Sequence, residues 1–132
     1  MKQVFVLKEP LGKINCSSDI FTKLKKIDID YSQENFICFY LNTANMLVKS
    51  EVLFKGGINS CSIDPRIIFK HCLLNDCCKI IIAHNHPSGS LSPSYEDNDF
   101  TNELMKMGEL LDLKVLDSII FNKKEFYSLN NE

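Results

Sequence analysis

Residues 79 to 87, "KIIIAHNHP", constrain the fold more than any other stretch of this chain. Ile80, Ile81, Ile82 and Ala83 form an apolar, β-branched run with no polar alternation, the pattern of a strand buried inside a sheet. Pro87 has no N–H to offer a ladder and ends the strand. Side chains at i and i+2 share one side of a strand, so His84 and His86 point together while Asn85 faces away. A buried strand that ends in two imidazoles needs covering elements around it, and the rest of the chain supplies them.

Residues 3 to 8 read as a short edge strand, and "SSDIFTKLKKI" reads as a short helix presenting Ile20, Phe21 and Leu24. "ENFICFYLN", 34 to 42, is a second buried strand. After a turn over Asn42 to Asn45, residues 46 to 55 return as the second arm of a hairpin that Gly56 and Gly57 end. Asp64-Pro65 starts a helix, an N-cap acceptor followed by proline at the first helical position, and it runs to about Asn75. Ser94 to about Asp112 is a long helix with Phe100, Leu104, Met107 and Leu111 on one stripe. "KVLDSIIF" and "EFYSL" form a closing hairpin across "NKK". The expected fold class is therefore α/β, a single domain with a mixed sheet flanked by helices.

The chain of 132 residues is long enough to bury a core of its own. Its net charge of -2 and its one short basic stretch, "KLKK" at 23 to 26, give no concentrated basic face for nucleic acid. Those lysines read as a solvated helix face. The six cysteines contain no C-x-x-C pair, and Cys38 sits in an apolar run as a small core residue would. No secretion segment or membrane span is present, so reduced thiols in the cytoplasm are expected.

Two imidazoles at i and i+2 make a half-site for zinc, which takes a third protein ligand and leaves a fourth position to water in catalytic sites. Asp97 is in phase with Phe100 and Leu104 and should point inward, where a carboxylate needs a partner. Glu96 and Asp99 fall off that stripe and should face water. Ser94-Tyr95-Glu96-Asp97 also fits the capping pattern S-x-x-[DE], with Ser94 as cap and Asp97 reaching back. The two roles are compatible. His71 falls in mid-helix, outside this pattern, and reads as a solvated or core-edge histidine. Cys72, Cys77 and Cys78 lack the H-x-E and P-C-x-x-C of a zinc deaminase.

"HNHPSGSLSPSYED" resembles the JAMM (MPN-positive) metalloprotease signature, H-x-H, seven residues, Ser, two residues, Asp. It is most similar to the RadC-like branch, matching at His84, Asn85, His86, Pro87, Ser88, Gly89, Pro93, Ser94 and Asp97. The likeness extends over about residues 33 to 129. It implies one MPN (JAB, cytidine-deaminase-like) domain over 1–132, without the N-terminal helix-hairpin-helix-like region usual in full-length relatives. It also implies one zinc (Zn2+) held by His84, His86 and Asp97, with a water completing the set.

The family takes its general base from a glutamate on an earlier strand. Glu34, at the opening of "ENFICFYLN", fits that role, with Glu51 as the alternative. Glu51 shares its strand face with Lys49 and Lys55 and reads more simply as part of a solvated, salt-bridged face. By the same resemblance the Ser94 hydroxyl would donate to the oxyanion. RadC-like chains usually read Leu-Asp-His after the long helix, whereas this chain reads Leu116-Asp117-Ser118. Asp117 is a candidate partner for a zinc histidine, or a plain strand-end polar residue.

The expected function is zinc-dependent hydrolysis of a peptide or isopeptide bond in a protein or peptide substrate. The alternatives are a DNA-repair-associated protein acting on or near nucleic acid, and a non-catalytic MPN scaffold. The acidic pI disfavours nucleic acid as a partner for this domain alone, and no membrane contact is expected.

Overall fold

The computed structural model describes residues 12–55 and 63–130. The expected strand at 3 to 8 and the glycine pair at 56 and 57 lie outside the described residues. The element order is α1 (Ser17–Leu24), β1 (Asn35–Leu41), β2 (Leu47–Lys55), α2 (Pro65–Leu74), β3 (Lys79–Asn85), α3 (Tyr95–Leu111), β4 (Lys114–Phe121) and β5 (Phe126–Ser128). The five strands form one mixed sheet in the order β2-β1-β3-β4-β5. β1 pairs antiparallel with both β2 and β3, β3 pairs parallel with β4, and β5 folds back antiparallel on β4.

Both faces of the sheet are covered, as the unbroken apolar runs demanded. On one face Ile37, Phe39 and Leu41 of β1 and Ile81 and Ala83 of β3 pack on Ile20, Phe21 and Leu24 of α1. On the other, Phe36, Cys38, Tyr40, Ile80 and Ile82 pack on Ile68, Phe69 and Cys72 of α2 and Leu104 of α3. The even and odd residues of β1 thus divide between two cores, and all seven are buried. The Cys38 and Cys72 thiols belong to this packing, and burial pushes the Cys72 thiol up to about 12.

The start of α2 is as expected: Asp64 accepts from the Arg66 N–H at 2.9 Å and Pro65 opens the helix. The α3 stripe differs from expectation toward its end. Thr101, Leu104 and Gly108 are its buried residues, whereas Leu111 is 51% exposed. The cause is the close approach of the chain after the helix. A Cβ on Gly108 would lie 2.3 Å from the Leu113 carbonyl oxygen, so only glycine fits there. The chain reverses at Asp112 in left-handed geometry, with Leu113 N–H bonded to Gly108 O at 2.8 Å.

Two consequences position the site. The β3–α3–β4 crossover brings the first turn of α3 to the carboxyl end of β3, where ligands bind in sheets of this kind. The antiparallel pairing of β1 with β3 sets the start of β1 beside the same end. Among the described residues, no helix is long and apolar enough to cross a membrane.

Candidate metal centre

β3 carries His84 near its end, 5% exposed, and His86 one residue past it. The two rings lie together, centroids 5.0 Å apart. Phe36 stacks beside His84 at 6.5 Å, and Phe100 of α3 stands edge-on to Phe36 at 5.8 Å, so an apolar wall backs the imidazole. The chain then turns through Pro87 and Ser88, with Gly89 N–H donating to the His86 carbonyl at 2.8 Å. Gly89 leaves that turn at φ +83°, a left-handed conformation that glycine takes without strain.

Asp97 faces both histidines from the first turn of α3. Its Oδ1 lies 3.1 Å from His84 Nε2 and its Oδ2 3.0 Å from His86 Nε2. Oδ2 also accepts from the Ser94 N–H at 2.8 Å, while the Asp97 N–H donates to Ser94 Oγ at 3.0 Å. The helix cap and the histidine contacts are therefore made by one carboxylate, with Oδ1 toward His84 and Oδ2 shared between His86 and the cap. Burial by itself would raise the Asp97 carboxyl. Contact with the His84 imidazole, its charge, and the Ser94 hydrogen bonds outweigh burial and hold the carboxyl well below the usual carboxylate range. Glu96 and Asp99 are exposed.

The ring nitrogens carry the argument further. His86 Nδ1 lies 3.0 Å from the Ser90 carbonyl oxygen, which can only accept, so Nδ1 holds the proton. In a neutral imidazole the Nε2 lone pair then points at the Asp97 carboxylate, and two acceptors would face each other. His84 Nε2 is buried without a hydrogen-bond partner, although Asp97 Oδ1 lies 3.1 Å away. An orphaned buried nitrogen is costly where it stands. A cation between the three groups removes both conflicts. Two donors about 2.0–2.1 Å from a tetrahedral zinc stand about 3.3 Å apart, close to the spacings here. His84, His86 and Asp97 each offer a ligand atom within 4.8 Å of the others, a group of three that could hold a metal ion.

Glu34 precedes β1 and is half-buried. The β1–β3 register pairs Asn35 with Asn85 and Phe36 with His84. Continued outward by one residue, it sets Glu34 opposite His86, on the sheet face that carries Phe36 and His84. Glu51 lies elsewhere, opposite Cys38 on β2 and separated from β3 by β1. Its side chain is 20% exposed, less solvated than expected, and it contacts His71 Nδ1 and, at 3.9 Å, Lys49 Nζ. His71 is thus a core-edge histidine whose partner is Glu51. Asp117 is not a partner of either site histidine. It accepts from Ser17 Oγ at 2.6 Å, the Ser118 N–H at 2.7 Å, the Asn130 N–H at 3.1 Å and Ser128 Oγ. Ser17 belongs to α1, so these bonds lie across the sheet from the histidines.

Sequence reading missed the work of Asn85. Facing away from the site, it is buried, and its Oδ1 accepts from the Asn35 N–H at 2.9 Å and from Asn35 Nδ2 at 3.1 Å. Its Nδ2 donates to the Gln33 carbonyl at 2.9 Å. The residue between the two histidines thereby ties down the segment that carries Glu34. A polar side chain forced inward by strand alternation was the available signal.

The mixed five-stranded sheet with its three helices is that of a JAB-type domain. Residues 14–132 match the model of the RadC-like JAB domain, and the chain belongs to that family. It is 38% identical over 122 residues to a UPF0758 protein of Flavobacterium johnsoniae, covering 92% of this chain and 53% of that one. A UPF0758 protein of Methanosarcina mazei is 37% identical over 126 residues, 96% of this chain and 55% of its own length. Another, from Staphylococcus haemolyticus, is 40% identical over 120 residues, 91% and 53% of the two chains. The chain spans about half the length of these relatives.

Proposed function

We propose that the domain is a zinc-dependent hydrolase of the JAMM type that cleaves a peptide or isopeptide bond. The observation that carries this reading is the meeting of His86 Nε2 and the Asp97 carboxylate with His84 Nε2, a buried nitrogen that has no hydrogen-bond partner. His84, His86 and Asp97 would hold the ion, and bound zinc supplies a water acidic enough to attack at neutral pH. Glu34, opposite His86 in the extended register, takes a proton at its carboxylate and returns it to the leaving amine. The Ser94 oxygen is occupied as acceptor by the Asp97 N–H, which leaves its own O–H free to donate to a developing oxyanion. The Phe36 and Phe100 rings keep water from the buried side of His84. Among the described residues Cys16, Cys38, Cys72, Cys77 and Cys78 are unbridged, in keeping with the cytoplasm.

The test is elemental analysis of protein purified without chelators, with one zinc per chain expected. A chain without metal overturns the hydrolase in favour of a scaffold. Against a fluorogenic peptide and isopeptide library, Glu34→Gln should retain zinc and lose turnover by about a hundredfold or more. If Glu51→Gln is the silent variant instead, the base has been misassigned.

A further inference from the structure

Beside the metal centre a cavity of about 290 Å³ opens, sharing His86 as one wall. Its floor is Tyr31, and its far side is the β4–β5 turn with Asn122, Lys123 and Lys124. The lining includes two lysines and no acidic residue. Lys123 Nζ stands 5.5 Å from the centre of the Tyr31 ring, and Tyr31 is set edge-on against Phe121 at 5.9 Å.

The turn is held in place before any ligand arrives. Asn122 Oδ1 accepts from the Lys124 and Glu125 N–H groups, each at 2.8 Å. Asn122 Nδ2 donates to the Gly89 carbonyl at 2.9 Å, fastening the turn to the loop that follows the histidines. Asp30 lies outside the lining and reaches Lys123 by charge, with its Oδ1 held by Ser32 through the N–H at 2.9 Å and the hydroxyl at 2.6 Å. Glu125 is exposed and outside the lining.

We propose that this cavity is a subsite for a carboxylate next to the bond being cleaved, so that the substrate is acidic at that position. The inference rests on the hydrolase reading for the meaning of "substrate", but the cavity's charge preference stands apart from the metal. Two sources share the chemistry, an acidic side chain and a free chain terminus. A phosphate backbone is disfavoured, because two lysines on an acidic domain fall short of the basic surface nucleic acid requires.

The experiment is a titration of the whole chain, metal-loaded and chelator-stripped, followed by amide and lysine resonances. The probes are the blocked peptide Ac-Gly-Glu-Glu-Gly-amide, its glutamine counterpart, the glutamine peptide with a free C-terminus, and a short oligothymidylate. The glutamate peptide should bind about fivefold tighter than the blocked glutamine peptide, the size of one solvent-washed ion pair, and the gap should shrink with salt. Shifts should centre on Tyr31, Lys123 and Lys124. Lys123→Gln with Lys124→Gln should erase the preference and leave the metal content unchanged. If the free-terminus peptide alone is preferred, the carboxylate subsite stands and the source is the chain end. Equal binding of the blocked peptides and the free-terminus peptide, a preference that survives the double variant, or tighter binding of oligothymidylate through the same lysines each overturns the proposal. A chain that binds no metal yet prefers glutamate keeps the subsite and loses the hydrolase.

Discussion

Two aspartates lie on opposite faces of one sheet and have opposite fates. Asp117, on the α1 side, is buried and receives four hydrogen bonds, from two serine hydroxyls and two backbone N–H groups. Asp97, on the α2–α3 side, receives one N–H and faces two imidazoles, one of them with a buried and unpartnered nitrogen. A carboxylate whose oxygens are all answered by fixed donors has no capacity left for a ligand, and its role is to hold α1, β4 and β5 together. A carboxylate set against two imidazole nitrogens, one of them unpartnered, has capacity left for a cation. Satisfaction, rather than burial, separates structure from site here.

The sharpest way to break this comparison is to remove each carboxylate in turn. Asp97→Ala, like His84→Ala, should reduce bound zinc from one per chain to a residual level, since three ligands define the set. Asp117→Ala should leave zinc at one per chain and cost about 3 kcal/mol in denaturant unfolding, because several donors lose a charged acceptor at once. If Asp117→Ala loses metal at full stability, or Asp97→Ala unfolds the chain and keeps its metal, the two roles are exchanged.

The elements were legible because their signals are local. The β-branched run through Ile82, Pro87 as its stop, Asp64-Pro65 and the Ser94 cap each act within a few residues, and each element lies where they indicate. His84, His86 and Asp97 were legible because period two on a strand and the stripe on a helix predict facing. Asp117 was not, since its partners Ser17 and Ser128 are 100 and 11 residues away and only the sheet order brings them together. The α3 stripe misled at Leu111 because Gly108 lets the following chain press against the helix, a contact no helical period contains. The Lys123–Tyr31 cavity has the same character: its walls come from three separate turns.

Asn85 sharpens the comparison at intermediate size, because it sits between the ligands in sequence and behaves like Asp117 in its bonding. Asn85→Ala leaves the buried Asn35 N–H without its acceptor and should cost roughly 2 kcal/mol. Zinc content should stay near one per chain, as Asn85 faces away from the ion. Backbone amides from 30 to 36 should exchange with solvent faster, and turnover should fall more than stability alone explains, because Glu34 is no longer held opposite His86. Unchanged exchange over that segment would show that the clamp holds nothing.

Acid gives the smallest effect and applies to the metal-free protein. The Asp97 carboxyl is depressed in the folded state, with its imidazole and Ser94 contacts outweighing burial. A depressed carboxyl contributes stability that is complete above the unfolded value of about 3.9 and is lost as pH falls toward the folded one. The stability of stripped wild type relative to stripped Asp97→Asn should therefore narrow as pH falls below about 4, by less than about 1 kcal/mol at this water-accessible edge. Asparagine keeps the carbonyl that caps Ser94, so the comparison reads the charge and not the cap. A gap that instead widens below about pH 4 would mean that the ionised carboxylate is a burden on the stripped fold. Asp97 would then be tolerated only for the cation it awaits.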